Sequence, residues 1–373
     1  MSRPGSAEPP VASAAGRLPL DPGSFRDWDS RVFYDDGRVL RALSEDGLAD
    51  WVALSKSSLF REAVAAGELV DTRRVDGVDA PQALLRGTAA VLEHERIPFV
   101  SYPYEWPFAM LRDAALLQLD LLARALAEDL TLKDATPYNV QWRGARPVFV
   151  DVGSFEPLRP GEPWHGYRQF CTLFLYPLLF QAYKNLPFQP WLRGTLAGIS
   201  PGEARSVMSG RDLLRRGVLT HVVLHSRLER RHGATGRNVR AELRAAGFRK
   251  ELIAANVRRL TRLVERLRWE PGRTAWSEYG ATTSYTEADA ERKAAFVREV
   301  TGSRRWELVW DLGCNEGRHA RLAAADARYV VAVDADAAVV DRLYRSLREA
   351  REENVIPLVG DVADPSPGLG WQG

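Results

Sequence analysis

Of the 373 residues only two are cysteine, Cys171 and Cys314, so a disulfide framework is excluded. No Cys/His grouping has zinc-ligand spacing either. An excess of charge of one sign is missing too. Fifty-one basic residues against 49 acidic ones leave +2, which gives no strong pull toward nucleic acid or an anionic membrane. Lysine is scarce: Lys56, Lys133, Lys184, Lys250 and Lys293 are all there is, and the other basic residues are arginine. Together with the many alanines, that usage fits genome composition better than an arginine-specific task. No run is apolar for long enough to cross a bilayer. The most apolar, "FCTLFLYPLLFQAY" (Phe170 to Tyr183), is too short and is interrupted by Pro177, so a buried helix is expected there. The start of the chain is rich in Pro, Gly and Ala and lacks the apolar stretch of a signal peptide. A flexible leader over 1–25 and a cytoplasmic location are expected.

What is present is the composition of a soluble globular protein, 45% hydrophobic and 27% charged, long enough for two or three domains. "SRVFYDDGRVLRAL" reads as a hairpin with Asp36-Gly37 as its turn. A helical stretch follows over "LADWVALSKSSLFREAVAAGEL", then strand-like pieces between Ala89 and Trp106. An amphipathic helix is expected from Phe108 to Asp129, with Leu116, Leu119, Leu122, Ala123 and Leu126 on one face. From Gly166 to Leu267 the pattern is mostly helical, and its arginine runs read as solvated faces rather than a nucleic-acid site. The Pro/Gly/Thr-rich stretch 268–285 is the expected linker. It divides a unit over 26–267 from one over 286–373.

The last unit opens with a capping box, Thr286 with Asp289, ahead of a helix. Then come "ELVWDLG", a turn, "RHARLAAAD", "YVVAVDAD", a helix of about fifteen residues, and "VIPLVGD". Strands alternating with helices predict a parallel, doubly wound sheet with its ligand at the carboxyl ends of the strands. Gly313 and Gly317 leave room for a ligand against the backbone of the first turn. Asp334 ends the second strand, where a carboxylate takes both hydroxyls of a ribose. Asp361 ends the third and could accept from an adenine amino group. Asp311 discriminates. Beside a pyrophosphate it would be repulsive, whereas an ammonium or sulfonium would welcome it.

"VWDLGCNEG … VVAVDAD … PLVGDVAD" resembles the first three motifs of class I S-adenosylmethionine-dependent methyltransferases. The resemblance implies a Rossmann-like α/β domain with Asp311 at the methionine ammonium and Gly313, Cys314, Asn315 and Gly317 along the backbone-facing part. Asp334 would sit at the ribose and Asp361 at the adenine. Asn315 replaces the family's usual middle glycine, and Asn is the best non-glycine residue for a left-handed turn. Cys314 is expected as a small loop residue, not a nucleophile. Such domains usually have seven strands, and here only three motifs precede "PSPGLGWQG", which favours a fragment, too short to be active alone. A plain strand–turn–helix with chance carboxylates is the blander alternative.

A second motif lies upstream. In "TLKDATPYNVQWRGARPVFVDVGSFE" (Thr131 to Glu156), Asp134 and Asn139 are followed by a short strand, a turn and a strand carrying Asp151. This resembles the catalytic loop and metal-binding strand of the protein-kinase and aminoglycoside-phosphotransferase superfamily, over residues 30 to 200. The resemblance implies an α+β domain in which Asp134 is the base-like residue and Asn139 and Asp151 hold magnesium with ATP. Gly153 fills the position after the metal Asp. No glycine-rich phosphate loop is present, and where an anchoring lysine should stand there is only Arg41. An inactive scaffold or recognition module is the alternative, and a turn capped by Asp134 and Asn139 is the blandest one.

The order of the two units is similar to bacterial nodulation-type methyltransferases. The leading expectation is therefore a methyltransferase of unknown acceptor, a small molecule rather than nucleic acid, with a kinase-like accessory domain. Phosphotransfer through Asp134, Asn139 and Asp151 and a non-catalytic binding protein are the alternatives. Neither membrane insertion nor a particular oligomeric state is implied.

Overall fold

The computed structural model describes residues 18–21, 23–24, 27, 29–75, 80–81, 84, 87–229, 249–272 and 286–366. Most of the expected leader, residues 230–248 of the helical stretch and 273–285 of the expected linker lie outside them. The elements are mixed α and β, as their alternation in sequence predicts.

The first sheet has strand order β1-β2-β4-β3, with β1 at Ser30–Asp35, β2 at Arg38–Leu43, β3 at Thr72–Val75 and β4 at Ala90–His94, all pairs antiparallel. The hairpin turn falls where the sequence puts it: Asp36 (φ 44) and Gly37 (φ 82) both adopt the left-handed conformations that two-residue hairpins need. The expected single helical stretch is two helices, α1 (Glu45–Lys56) and α2 (Ser58–Ala65). Ser57 breaks them. Its hydroxyl accepts from the Phe60 amide at 3.0 Å, so the break is itself the next helix cap.

Helix α3 (Phe108–Ala127) ends two residues short of the expected boundary, Asp129 having a left-handed φ of 57. It is buried on nearly all sides. Its face is much broader than an amphipathic stripe, with Phe108, Met110, Leu111, Leu119, Leu121 and Leu122 fully covered. Around it stand β5 (Leu130–Leu132) paired with β8 (Phe155–Pro157), and the hairpin of β6 (Val140–Arg143) with β7 (Arg146–Phe149). The apolar run at Phe170 is a buried helix. It starts at Tyr167, widens over Cys171–Leu175 and continues as α4 (Tyr176–Lys184). No helix among the described residues is long and apolar enough to cross a membrane. Helix α5 (Lys250–Arg266) buries Ile253, Val257, Leu260, Leu263 and Val264 at helical spacing and packs on α3.

The C-terminal unit begins with α6 (Glu287–Gly302), capped by the expected box: the Asp289 amide donates to the Thr286 hydroxyl at 3.2 Å, and the Thr286 amide donates to the Asp289 carboxylate at 3.0 Å. Then β9 (Val309–Leu312), α7 (Arg318–Ala324), β10 (Val330–Asp334), α8 (Ala337–Ala350) and β11 (Val355–Val359) alternate. The sheet is parallel in the order β11-β10-β9. Val330, Val331, Ala332, Val355 and Ile356 are fully buried, the run-like burial of a parallel strand covered on both faces. Among the described residues β9 is an edge strand, and Leu308, Trp310 and Leu312 are exposed.

This sheet does not stand apart. A single apolar cluster includes Leu121, Trp142 and Phe174 together with Val330, Tyr344 and Ile356. The Trp142 indole lies edge-on to the Tyr344 ring with centroids 5.6 Å apart. The Tyr329 hydroxyl accepts from the Gly144 amide at 2.9 Å. A Cβ on Gly144 would stand 2.5 Å from the Glu353 carbonyl carbon, so a glycine is required where the β6–β7 turn meets the chain entering β11.

Candidate functional site

The residues singled out at the strand ends of the C-terminal sheet are brought together. The Gly313 and Cys314 amides both donate to the Val333 carbonyl, at 2.8 and 3.0 Å, so the turn after β9 is folded over the end of β10. There Asp334 closes the loop. Its carboxylate accepts from the Asn315 amide at 2.9 Å and from the Asp336 amide at 2.9 Å. Asn315 is left-handed (φ 47), in keeping with its replacing a glycine.

Two glycines serve different ends. Gly313 (φ +75) has no heavy atom within 4 Å of where a Cβ would be, so one side of the turn is open space. Gly317 (φ +77) has Leu343 only 2.5 Å from that position, which makes it a packing glycine where α7 starts against α8.

Asp311 lies within β9, two residues before Gly313. Burial pushes its carboxyl above the usual range. His319 and the Ala320 amide oppose that shift, while the charge of Asp334 reinforces it. Its Oδ2 is buried with no hydrogen-bond partner among the described residues. The nearby His319 Nδ1 is likewise buried and unpartnered. A carboxylate oxygen left dry beside an open glycine turn is an acceptor awaiting a donor, and a cationic one would satisfy it best. Nothing in the sequence singled out His319; its only signal was its place one residue into the helix after the turn.

Cys314 is buried. Burial first, then the charges of Asp311 and Asp334, push its thiol well above the usual range, which fits a loop residue and not a nucleophile. Asp361 stands two residues beyond β11, not on its last residue, and one carboxylate oxygen accepts from the Ala363 amide at 2.8 Å. The turn it begins is held by the N-terminal unit. Arg193 donates to both oxygens of Asp364, at 2.8 and 2.7 Å. Sequence reasoning missed this clamp, which joins residues 171 positions apart.

The upstream motif forms a second cluster. Asn139 ends the short turn Pro137–Asn139, and Asp151 stands two residues beyond the end of β7. The Asn139 side-chain Nδ2 donates to the Ser154 hydroxyl at 2.9 Å, and Ser154 donates to Asp151 Oδ2 at 2.6 Å. The other oxygen, Oδ1, accepts from Arg41 at 2.8 Å. Arg41 is itself buried, donating also to Ser30 at 2.6 Å and to His94 Nε2 at 3.0 Å. Burial and the Arg41 charge hold His94 well below the usual imidazole range, so it accepts as a neutral ring. Partial burial, with the charge of Asp151 beside it, raises the Asp134 carboxyl. A cavity of about 510 Å³ adjoins the cluster, lined by Arg41 and His94 and on its apolar side by Val32, Val39, Ile97, Phe99 and Val150.

Magnesium was the expected ligand of Asn139 and Asp151. Both oxygens of Asp151 are engaged, one by a guanidinium standing where a metal would have to approach, so these residues do not fit the ion. No group of three or more potential metal-ligating His, Cys, Asp or Glu occurs among the described residues.

No family model matches the chain. It is similar to the nodulation protein NoeA of Rhizobium meliloti (strain 1021), with 31% identity over 369 residues, spanning 98% of this chain and 76% of that protein. Among solved structures it is similar to a candidate RNA methyltransferase from Pyrococcus horikoshii. That match has 23% identity and a TM-score of 0.20, and covers 26% of this chain and 48% of that one. It is also similar to vaccinia related kinase 3, with 10% identity and a TM-score of 0.28, over 41% of this chain and 55% of that one.

Proposed function

The chain belongs to the family of the nodulation protein NoeA, and from that premise we propose that it is a methyltransferase dependent on S-adenosylmethionine, bound at the turn after β9. The observation that carries the reading is the unpartnered, buried Oδ2 of Asp311 beside the open side of Gly313, with Asp334 across the same turn. That set fits a ligand with a cationic amino acid end and a ribose. It does not suit a pyrophosphate, which the Asp311 charge would repel.

When bound, the cofactor supplies an electrophilic methyl group on a sulfonium. Asp311 pairs with its ammonium, and desolvation strengthens that pairing. The Gly313–Gly317 turn lets the backbone approach closely. Asp334, already oriented by the Asn315 and Asp336 amides, takes the ribose hydroxyls. Asp361 retains an acceptor oxygen for the adenine amino group, and the Arg193–Asp364 clamp holds its turn. In-line attack of an acceptor on that methyl, with the C–S bond breaking and S-adenosylhomocysteine leaving, would need the residues of this turn chiefly for positioning. The acceptor is a small molecule rather than bulk nucleic acid, in keeping with the even charge balance.

The N-terminal unit serves as accessory to this activity. A phosphotransferase acting through Asp134, Asn139 and Asp151 is the second reading, favoured by the 510 Å³ cavity beside them and opposed by the Arg41–Asp151 pair. Calorimetric titration with S-adenosylmethionine tests the first reading. One site per chain, lost in Asp334→Ala while the variant's thermal unfolding transition persists, is expected. No heat with a folded wild type would sink it.

A further inference from the structure

A basic cavity that shares no lining residue with either cluster lies between α5 and the segment Gly217–Leu224. Its volume is about 440 Å³, within the range of small-molecule sites. Arg216 enters from one wall, and Arg259, Arg262 and Arg266 from the other. The spacing of the last three, with Asn256 and Leu263, puts them on one stripe of α5. Not one carboxylate lines the cavity, and none of the four guanidinium groups has an ion-pair partner among the described residues.

The walls are set against each other by packing. Gly217 (φ +81) opens the second wall, and a Cβ there would stand 2.4 Å from Leu263 Cδ2. Behind the arginines lie neutral partners, Asn256 and His221. His221 is buried, with Nδ1 bonded to the Tyr167 hydroxyl at 2.9 Å. Burial, reinforced by His225 and Arg259, pushes its pKa down to about 4, so it faces the cavity uncharged. The sequence reading took these arginines for a solvated face, and all four are exposed; what it did not show is that they meet at one acid-free groove.

We propose that this cavity binds a compact polyanion, a small molecule bearing a diphosphate group. Guanidinium groups match phosphate oxygens bidentately, and four of them balance the three to four charges of a diphosphate. A diphosphate carries more charge near neutral pH than inorganic sulfate, a dianion, which favours the diphosphate here. The limited volume of the groove suits a short ligand rather than an extended nucleic-acid backbone. The site is independent of the cofactor reading and would stand if that reading failed.

The test is calorimetric titration of the full chain with inorganic pyrophosphate at fixed ionic strength. One site per chain is expected, weakened about tenfold or more in Arg259→Ala and in Arg262→Ala. Arg258→Ala removes the same charge from the same helix outside the cavity and is expected to leave binding unchanged. Circular dichroism of each variant checks that α5 persists. Absence of saturable binding, or equal weakening by Arg258→Ala, overturns the proposal. So does inorganic sulfate displacing pyrophosphate equally well. A DNA duplex that binds more tightly than pyrophosphate, with affinity growing with its length, would replace the cavity with an extended nucleic-acid surface.

Discussion

Asp341, on α8, accepts the backbone N–H of Ala109, in the first turn of α3, at 2.7 Å. Pro107 stands at the cap position of α3 and has no side chain to offer, so a carboxylate 232 residues away does the capping. One turn along, Asp113 accepts the Tyr344 hydroxyl at 2.8 Å and pairs with Arg348, so α3 and α8 are joined by two buried carboxylates.

Removing these ties has a graded cost. Tyr344→Phe is expected to destabilise by about 1 kcal/mol, one buried hydrogen bond. Asp341→Ala should cost about 1–2 kcal/mol through the lost cap. Asp113→Ala should cost more, about 2–3 kcal/mol, since it strands the fully buried Tyr344 hydroxyl, whereas the half-exposed Arg348 keeps its hydration. Urea unfolding followed by tryptophan fluorescence gives the ranking. An Asp113→Ala chain as stable as wild type would refute the docking described here.

The glycines of the cofactor turn separate ligand from packing. Both Gly313→Ala and Gly317→Ala force a left-handed conformation on alanine, at about 1–2 kcal/mol. Gly317→Ala also drives a Cβ into Leu343, adding about 1–3 kcal/mol. The larger loss of Tm therefore belongs to Gly317→Ala, whereas the loss of S-adenosylmethionine affinity relative to stability is greater in Gly313→Ala. The opposite order in either measurement would show that the open space has been assigned to the wrong glycine.

Asp212 governs part of the acid response. Its carboxylate accepts from the Ser209 hydroxyl and amide, both at 2.7 Å, and from Lys184 at 2.9 Å, and these bonds hold it down at about 2. A lowered carboxyl stabilises the fold fully above its unfolded value near 4, and that stability is lost as pH falls through about 2. Asp212→Asn is thus expected to be about 1–2 kcal/mol less stable than wild type from pH 7 to about 4, the gap closing below that. A gap that stayed constant down to pH 2 would contradict the assignment.

Magnesium tests the N-terminal cluster. With Arg41 bonded to Asp151 Oδ1, magnesium is expected to add nothing to any ATP binding by the wild type. Titration with ATP in the presence and absence of the ion decides the matter. Magnesium-dependent binding that disappears in Asp151→Asn would favour the phosphotransferase reading.

Local features could be read from sequence because their causes are local. The Asp36-Gly37 turn, the Thr286/Asp289 box and the three parallel strands each depend on residues within a few positions of one another. The same holds for the turn from Asp311 to Gly317, whose residue types dictate its shape. What escaped was long-range. Neither Arg41 nor Asp151 carries a mark of the other 110 residues away, and a broad arginine count hides which guanidinium groups have partners. Helix α3 looked amphipathic because sequence shows only its own stripe, not the elements that cover its remaining sides. Asp341 reads as an ordinary surface acid of an amphipathic helix until α3 is placed against it.

Cofactor selection at this turn hinges on Asp311 meeting a cation. The direct measurement is the affinity of S-adenosylmethionine, S-adenosylhomocysteine and NAD for the wild type and for Asp311→Asn, by calorimetry at one ionic strength. Both sulfur ligands carry the ammonium, so both are expected to bind the wild type and to weaken about tenfold or more in the variant, with NAD silent in both. Equal affinities in wild type and Asp311→Asn, or NAD binding that improves when the carboxylate is removed, would contradict it.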